Sequence, residues 1–113
     1  MAKIQFSHDC TCYTKSKNQI SVIKDFIAEV DNFLPSFPKT LEIAEVNRAL
    51  DKQRGTTILT FLIKNQENLG EPDYKAILQA FRQAHDNQDG GFLDDIFISA
   101  NQDYINIYLI LTL

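Results

Sequence analysis

Ile58-Leu59-Thr60-Phe61-Leu62-Ile63 and Ile105-Asn106-Ile107-Tyr108-Leu109-Ile110 decide how this chain folds. Both read as strands, because β-branched and aromatic residues recur with too few breaks for a loop and too little length for a helix. Each is preceded by another strand-like stretch, and that in turn by a helical pattern. The order is a strand, then helix-strand-strand, then helix-strand-strand. It predicts an α+β fold, with a mainly antiparallel sheet and two helices on one face. The repeated helix-strand-strand order suggests a duplicated unit, although residue identity between the halves is slight. A ferredoxin-like arrangement with an added strand fits the same order.

The two candidate strands differ in character. Ile58, Leu59, Phe61, Leu62 and Ile63 leave neither face polar, which places that stretch in the middle of its sheet. In the last stretch Ile105, Ile107, Leu109, Leu111 and Leu113 form one wholly apolar row. Left at an open edge, such a strand invites aggregation, so it has to be central, covered by a helix or paired with another chain. Its other row is Tyr104, Asn106, Tyr108, Ile110 and Thr112. Two tyrosines beside an asparagine form an amphipathic surface of the kind enriched at interfaces.

Working outward, residues 3–14 alternate. Ile4, Phe6, His8, Cys10 and Cys12 fall on one side of an extended chain, which reads as a half-buried strand. Ser16-Lys17-Asn18-Gln19 has capping-box spacing. Behind it Ile20, Ile23, Phe26, Ile27, Val30, Phe33 and Leu34 recur at helical spacing until Pro35 and Pro38. Residues 40–54 carry two patterns. A helix would use Ile43, Val46 and Leu50 as its stripe. A strand would alternate Ala44, Val46, Arg48 and Leu50 with Glu45, Asn47 and Ala49, then turn at Lys52-Gln53-Arg54-Gly55. Local propensity favours the helix, and the parallel with the second half favours the hairpin, which is the reading adopted. Pro72 opens a second helix, with Asp73 in its first turn and Tyr74, Ile77, Leu78, Phe81 and Ala84 as its stripe. A hairpin with a turn at Asn101-Gln102-Asp103 completes the pattern.

At 113 residues the chain is expected to form a single domain spanning 1–113. No stretch approaches the ~20 apolar residues of a membrane span. Residues 1–6 lack the apolar run of a secretory signal, so a cytoplasmic location is expected. The net charge of −4 disfavours binding to a phosphate backbone. No Lys or Arg follows Arg82, whereas Asp86, Asp89, Asp94, Asp95 and Asp103 do follow it. An acidic final third suits a partner protein with a basic surface.

Few motifs carry chemistry. His8, Cys10 and Cys12, with His85 as a fourth group, have the soft and imidazole donors that zinc, copper(I) or iron prefer. The same side carries Ile4 and Phe6, and buried cysteines pack as small hydrophobes, so these are weak candidates and no metal or other cofactor is expected. A Cys/His catalytic pair requires a positioned base that nothing in the spacing supplies. Asp86-Asn87-Gln88-Asp89-Gly90 fails the calcium-loop pattern, whose first position would hold His85 and whose twelfth holds Ile96 rather than Glu. Asp94 and Asp95 are adjacent and should point to opposite faces of a strand unless it starts at Ile96 or bulges.

These observations lead to an expectation of a small acidic non-enzymatic protein-binding module, of the inhibitor, immunity, anti-defence or adaptor type, acting by steric occlusion. Asp86, Asp89, Asp94, Asp95 and Asp103 would steer the partner, and Tyr104 and Tyr108 would anchor it. Two other readings follow from the same residues. One is a metal- or redox-responsive protein using His8, Cys10 and Cys12. The other is a self-assembling module, with a homodimer formed through the last strand.

Overall fold

The computed structural model describes residues 3–12, 17–65, 69–88 and 92–112, with the side chains of 17–19 and 92 left aside. The elements are β1 (Ile4–Cys12), α1 (Lys17–Phe33), β2 (Leu41–Asp51), β3 (Thr56–Lys64), α2 (Glu71–Asn87), β4 (Phe92–Ala100) and β5 (Tyr104–Thr112). The five strands form one mixed sheet in the order β1-β2-β3-β5-β4. β1 and β2 are parallel, and the other three pairings are antiparallel. The α+β class, the antiparallel bias and the two helices agree with the sequence.

Residues 40–54 form a strand and turn. Leu41, Ile43 and Val46 are buried, and β2 pairs with β3 from Glu42–Lys64 to Asp51–Thr56, with one bulge between Ile43 and Glu45. The turn uses two local devices. The Asp51 carboxylate accepts the backbone N–H groups of Gln53 at 3.1 Å and Arg54 at 3.2 Å. Gly55 then takes φ 65°, a left-handed conformation that costs other residues. Sheet pairing and burial therefore override helix propensity here.

At the second helix, the Asp73 carboxylate accepts the N–H of Gly70 at 2.9 Å, which fixes the start. The Ser16 capping box lies outside the described residues. At the far end of α1, the Asp31 carboxylate accepts the N–H of Ile4 at 2.9 Å. The Lys3 ammonium donates to the Leu34 carbonyl at 2.9 Å, and Leu41 N–H donates to the Lys3 carbonyl at 2.8 Å. The start of β1, the end of α1 and the start of β2 are thereby tied at one point.

Both helices lie on one face. Phe26 of α1, Phe61 of β3 and Phe81 of α2 meet there, with ring centroids 6.0 Å (Phe26–Phe61), 5.9 Å (Phe26–Phe81) and 5.3 Å (Phe61–Phe81) apart. Around them lie Ile43, Ile63, Ile77, Ile105, Ile107 and Leu109, all buried. Such tilted and edge-on ring pairs add to the burial of large apolar area. No helix among the described residues is long and apolar enough to cross a membrane.

β5 lies between β3 and β4 and is paired along both edges. The apolar row that required cover finds it within one chain. The two echoing stretches are themselves neighbours, with Ile58 opposite Ile110 and Ile63 opposite Ile105. Exchanging the stretches maps each pair onto the other. The two crossovers are not alike, however. β1-α1-β2 joins adjacent strands, whereas β3-α2-β4 is split by β5.

Because Phe61 joins both helices to the sheet, Phe61→Ala is expected to cost about 3–5 kcal/mol of unfolding free energy, measured by urea denaturation. A loss below about 1 kcal/mol would show that the three-ring cluster is not the centre of the core.

Candidate functional site

Side chains alternate across a strand, so the residues between the buried ones point away from the helices. The register places them in rows across the open face. One row is Asn47, Thr60, Tyr108 and Phe97. On one side of it runs Ala49, Ile58, Ile110 and Asp95, and on the other Glu45, Leu62, Asn106 and Ser99. Farther along, Glu42, Lys64 and Tyr104 form a row near the opposite end. Phe97 and Tyr108 stack with centroids 4.8 Å apart and planes 22° apart. Phe97 is 44% exposed, although it is a large apolar residue. Ile58, Leu62 and Ile110 are half-buried around the stack. The result is an aromatic stack at the β4 edge of a partly apolar field that no helix covers.

The two adjacent aspartates share this face because β4 bulges between Leu93 and Asp95. The extra residue cancels the alternation that would have sent one of them into the core. Asp94 accepts a short hydrogen bond from the hydroxyl of Thr112, which belongs to the open row. Asp95 lies opposite Ile110, and its carboxylate accepts the Ile96 N–H at 2.8 Å. Both side chains are exposed. The strand starts at Phe92, so the bulge, and not a late start, resolves the conflict at this pair.

The remaining sequence candidates are spread out. Tyr104 and Tyr108 share the open face, four residues apart along β5. Asp103 lies in the β4–β5 turn, beyond Ala100, roughly 25 Å along the hairpin from Asp95 at ~3.3 Å per residue. Asp86 is exposed near the end of α2, its carboxylate 3.6 Å from Nδ1 of His85. Asp89 lies outside the described residues. The structure thus groups Tyr108, Asp94 and Asp95, with Tyr104 on the same face, and does not bring Asp86 or Asp103 to the stack. Phe97 is the residue that the sequence reading missed. Its signal was the alternation Asp95, Phe97, Ser99 against Ile96, Ile98, Ala100, which places a bare phenylalanine on the polar row.

The His/Cys group is separated. β1 and β4 are opposite edges of the sheet, and His85 sits on α2, the helix that packs on β4. His8 is exposed, while Cys10 and Cys12 pack against the core. No disulfide joins them. Among the described residues no three His, Cys, Asp or Glu side chains are placed to hold a metal ion. Burial pushes the Cys10 thiol above its ordinary pKa, and the nearby Cys12, Asp9 and Glu45 add to that. Its thiolate is the disfavoured form, the opposite of what nucleophilic or redox chemistry requires.

A polar cluster also lies where β1 bulges between Phe6 and Thr11. The Ser7 hydroxyl donates to the Asp9 carboxylate in a short bond. The Lys64 ammonium lies 3.6 Å from Asp9, 3.7 Å from Glu42 and 3.5 Å from the Ser7 hydroxyl. Ser7 foremost, then a backbone N–H and the Lys64 charge, hold the Asp9 carboxyl below the usual range. Asp9 is fully exposed, so the cluster serves to fasten the irregular edge strand to β2 and β3.

Comparison with family models, with curated proteins and with solved structures finds no significant match to this chain.

The state of Cys10 is directly measurable. In a Cys12→Ser variant, iodoacetamide modification followed by mass spectrometry from about pH 7 to about pH 10 should rise later than for a cysteine in a short peptide. Faster modification than the peptide near pH 7 would contradict the buried, neutral thiol.

Proposed function

We propose that this protein is a non-enzymatic binding module that grips another protein through the open face of its sheet, as an inhibitor, immunity, anti-defence or adaptor protein does, and acts by steric occlusion. The supporting observation is the Phe97–Tyr108 stack, set among Ile58, Leu62 and Ile110 on the face that the helices leave bare. Exposed aromatic side chains are frequent carriers of binding energy at protein interfaces. Five strands of about nine residues present roughly 700 Å² at ~4.8 Å between strands and ~3.3 Å per residue, near the ~800 Å² that one partner contributes to a standard interface.

Charge supports a basic partner. Asp94 and Asp95 sit at one end of the face through the bulge, and residues 92–113 contain no Lys or Arg. Such carboxylates at the rim raise the association rate more than the affinity.

The test compares variants against a partner recovered with the wild-type protein. Phe97→Ala with Tyr108→Ala should weaken binding about 100-fold while the circular dichroism spectrum stays native. Asp94→Lys with Asp95→Lys should lower the association rate about tenfold or more, and the loss should shrink as salt is raised. Retention of full affinity by the aromatic double variant would refute the reading.

A further inference from the structure

We propose that β4 also accepts an extended peptide as a sixth strand, with alternate apolar side chains of the peptide entering a groove between α2 and β4. The inference goes beyond the open-face reading and does not depend on it, because Phe97 and Tyr108 point to the opposite side of the sheet.

The backbone comes first. Asn101 N–H donates to the Tyr104 carbonyl at 2.9 Å, which makes Asn101–Tyr104 a hydrogen-bonded antiparallel pair. Such pairs alternate along the ladder. Ser99–Asn106 and Phe97–Tyr108 are therefore also bonded pairs, in the register observed. Ile96, Ile98 and Ala100 consequently direct their N–H and C=O groups outward; the Asp95 carboxylate already accepts the Ile96 N–H at 2.8 Å, which leaves Ile98 and Ala100 as the outward donors. Among the described residues no strand lies on that side of β4. A row of outward donors and acceptors at a sheet edge is a template for an extended chain.

The two edges of the sheet are treated differently. β1 is bulged over Ser7 to Cys10 and tied down by Lys64. β4 carries a bulge and two aspartates only near its start. From Ile96 to Ala100 it has neither a bulge nor a charge, the devices that normally blunt an edge.

The groove supplies the side-chain site. Glu71, Tyr74, Lys75 and Leu78 form one helical stripe of α2, and with Ile98 and Ala100 they line a space of about 540 Å³. The core face of the same helix uses Ile77, Ala80, Phe81 and Ala84, so the groove stripe lies toward the outer side of β4. Asn65 closes one end, donating to the Tyr74 hydroxyl at 3.2 Å and to the Asn101 carbonyl at 2.9 Å. Ile98 and Ala100 thus offer outward backbone groups and also form the groove floor, the combination that reads a strand by main chain and by alternate side chains. Charge narrows the occupant. Glu71 and Lys75 offset one another, while Asp94 and Asp95 before the open stretch and Asp103 after it have no basic neighbour in the hairpin. The fitting ligand is a short extended segment with alternating apolar residues, flanked by Lys or Arg.

The probe is a phage-displayed library of random octapeptides, selected on the full protein. Enriched sequences should alternate apolar residues between basic ends. Fluorescence anisotropy with one labelled peptide should show about tenfold weaker binding to Leu78→Glu, which fills the groove with charge. Ala100→Pro, which removes an outward N–H at an edge position that tolerates proline, should lose about as much. Both variants should keep the native circular dichroism spectrum, and Tyr108→Ala should bind within about twofold of wild type. No enrichment beyond that on the Leu78→Glu protein would overturn the proposal. So would a peptide lost on Tyr108→Ala but kept on Leu78→Glu, which would place it on the open face. A dimer in native mass spectrometry that Ala100→Pro converts to monomer would also overturn it, by showing a second copy at the edge.

Discussion

The structure depends on the meeting of Phe26, Phe61 and Phe81. Two helices contribute one ring each, and a central strand contributes the third. That contact commits both helices to the same face, because a helix on the other side could not reach Phe61. A small chain has enough helix to cover one face of a five-stranded sheet, and burial of the Ile105, Ile107 and Leu109 row requires that face. The other face is left to solvent, or to a partner.

The distribution of residue types follows from this one-sidedness. On β3 and β5 the covered positions are buried except Leu59 and Leu111, which are half-buried, while the open positions mix Ile58, Leu62 and Ile110 with Thr60 and Asn106. The open side is therefore neither a second core nor a fully polar surface. An intermediate face of this kind, with a stacked aromatic pair toward its β4 edge, has the composition of a reversible protein interface. The bulge in β4 adds to it by turning both aspartates of an adjacent pair to the rim.

Much of the fold was legible in the sequence, because it is written in periodicity. Ile23, Phe26, Ile27 and Val30 gave α1. Ile58 to Ile63 and Ile105 to Ile110 gave the two central strands. Residues 40–54 carried both periods, and Gly55 and the Asp51 turn settle them as a hairpin. The strand order was not legible, since it depends on which edges meet across long sequence separations.

The site was legible only in part. Tyr108, Asp94 and Asp95 share a face, but a bulge is needed to bring the aspartates together, and adjacency alone argued against it. Asp94 and Asp103 are near one another in sequence but lie at opposite ends of the β4–β5 hairpin, and Asp86 belongs to α2 on the covered side of the sheet. His8, Cys10 and His85 do not assemble because β1 is one edge of the sheet and α2 packs on β4, the other edge. Phe97 is marked in the sequence only by the alternation Asp95, Phe97, Ser99, which the adjacent Asp94 interrupts.

The central claim is that the sheet buries one face and leaves the other open. Nuclear magnetic resonance of the isolated protein with a soluble paramagnetic agent tests it most directly. Signals of Phe97, Tyr108 and the Ile58 methyl groups should relax strongly, while those of Phe61, Phe81 and Ile107 should be protected. Equal protection of both sets would contradict the account, because it would mean that the face carrying the Phe97–Tyr108 stack is covered in the isolated protein.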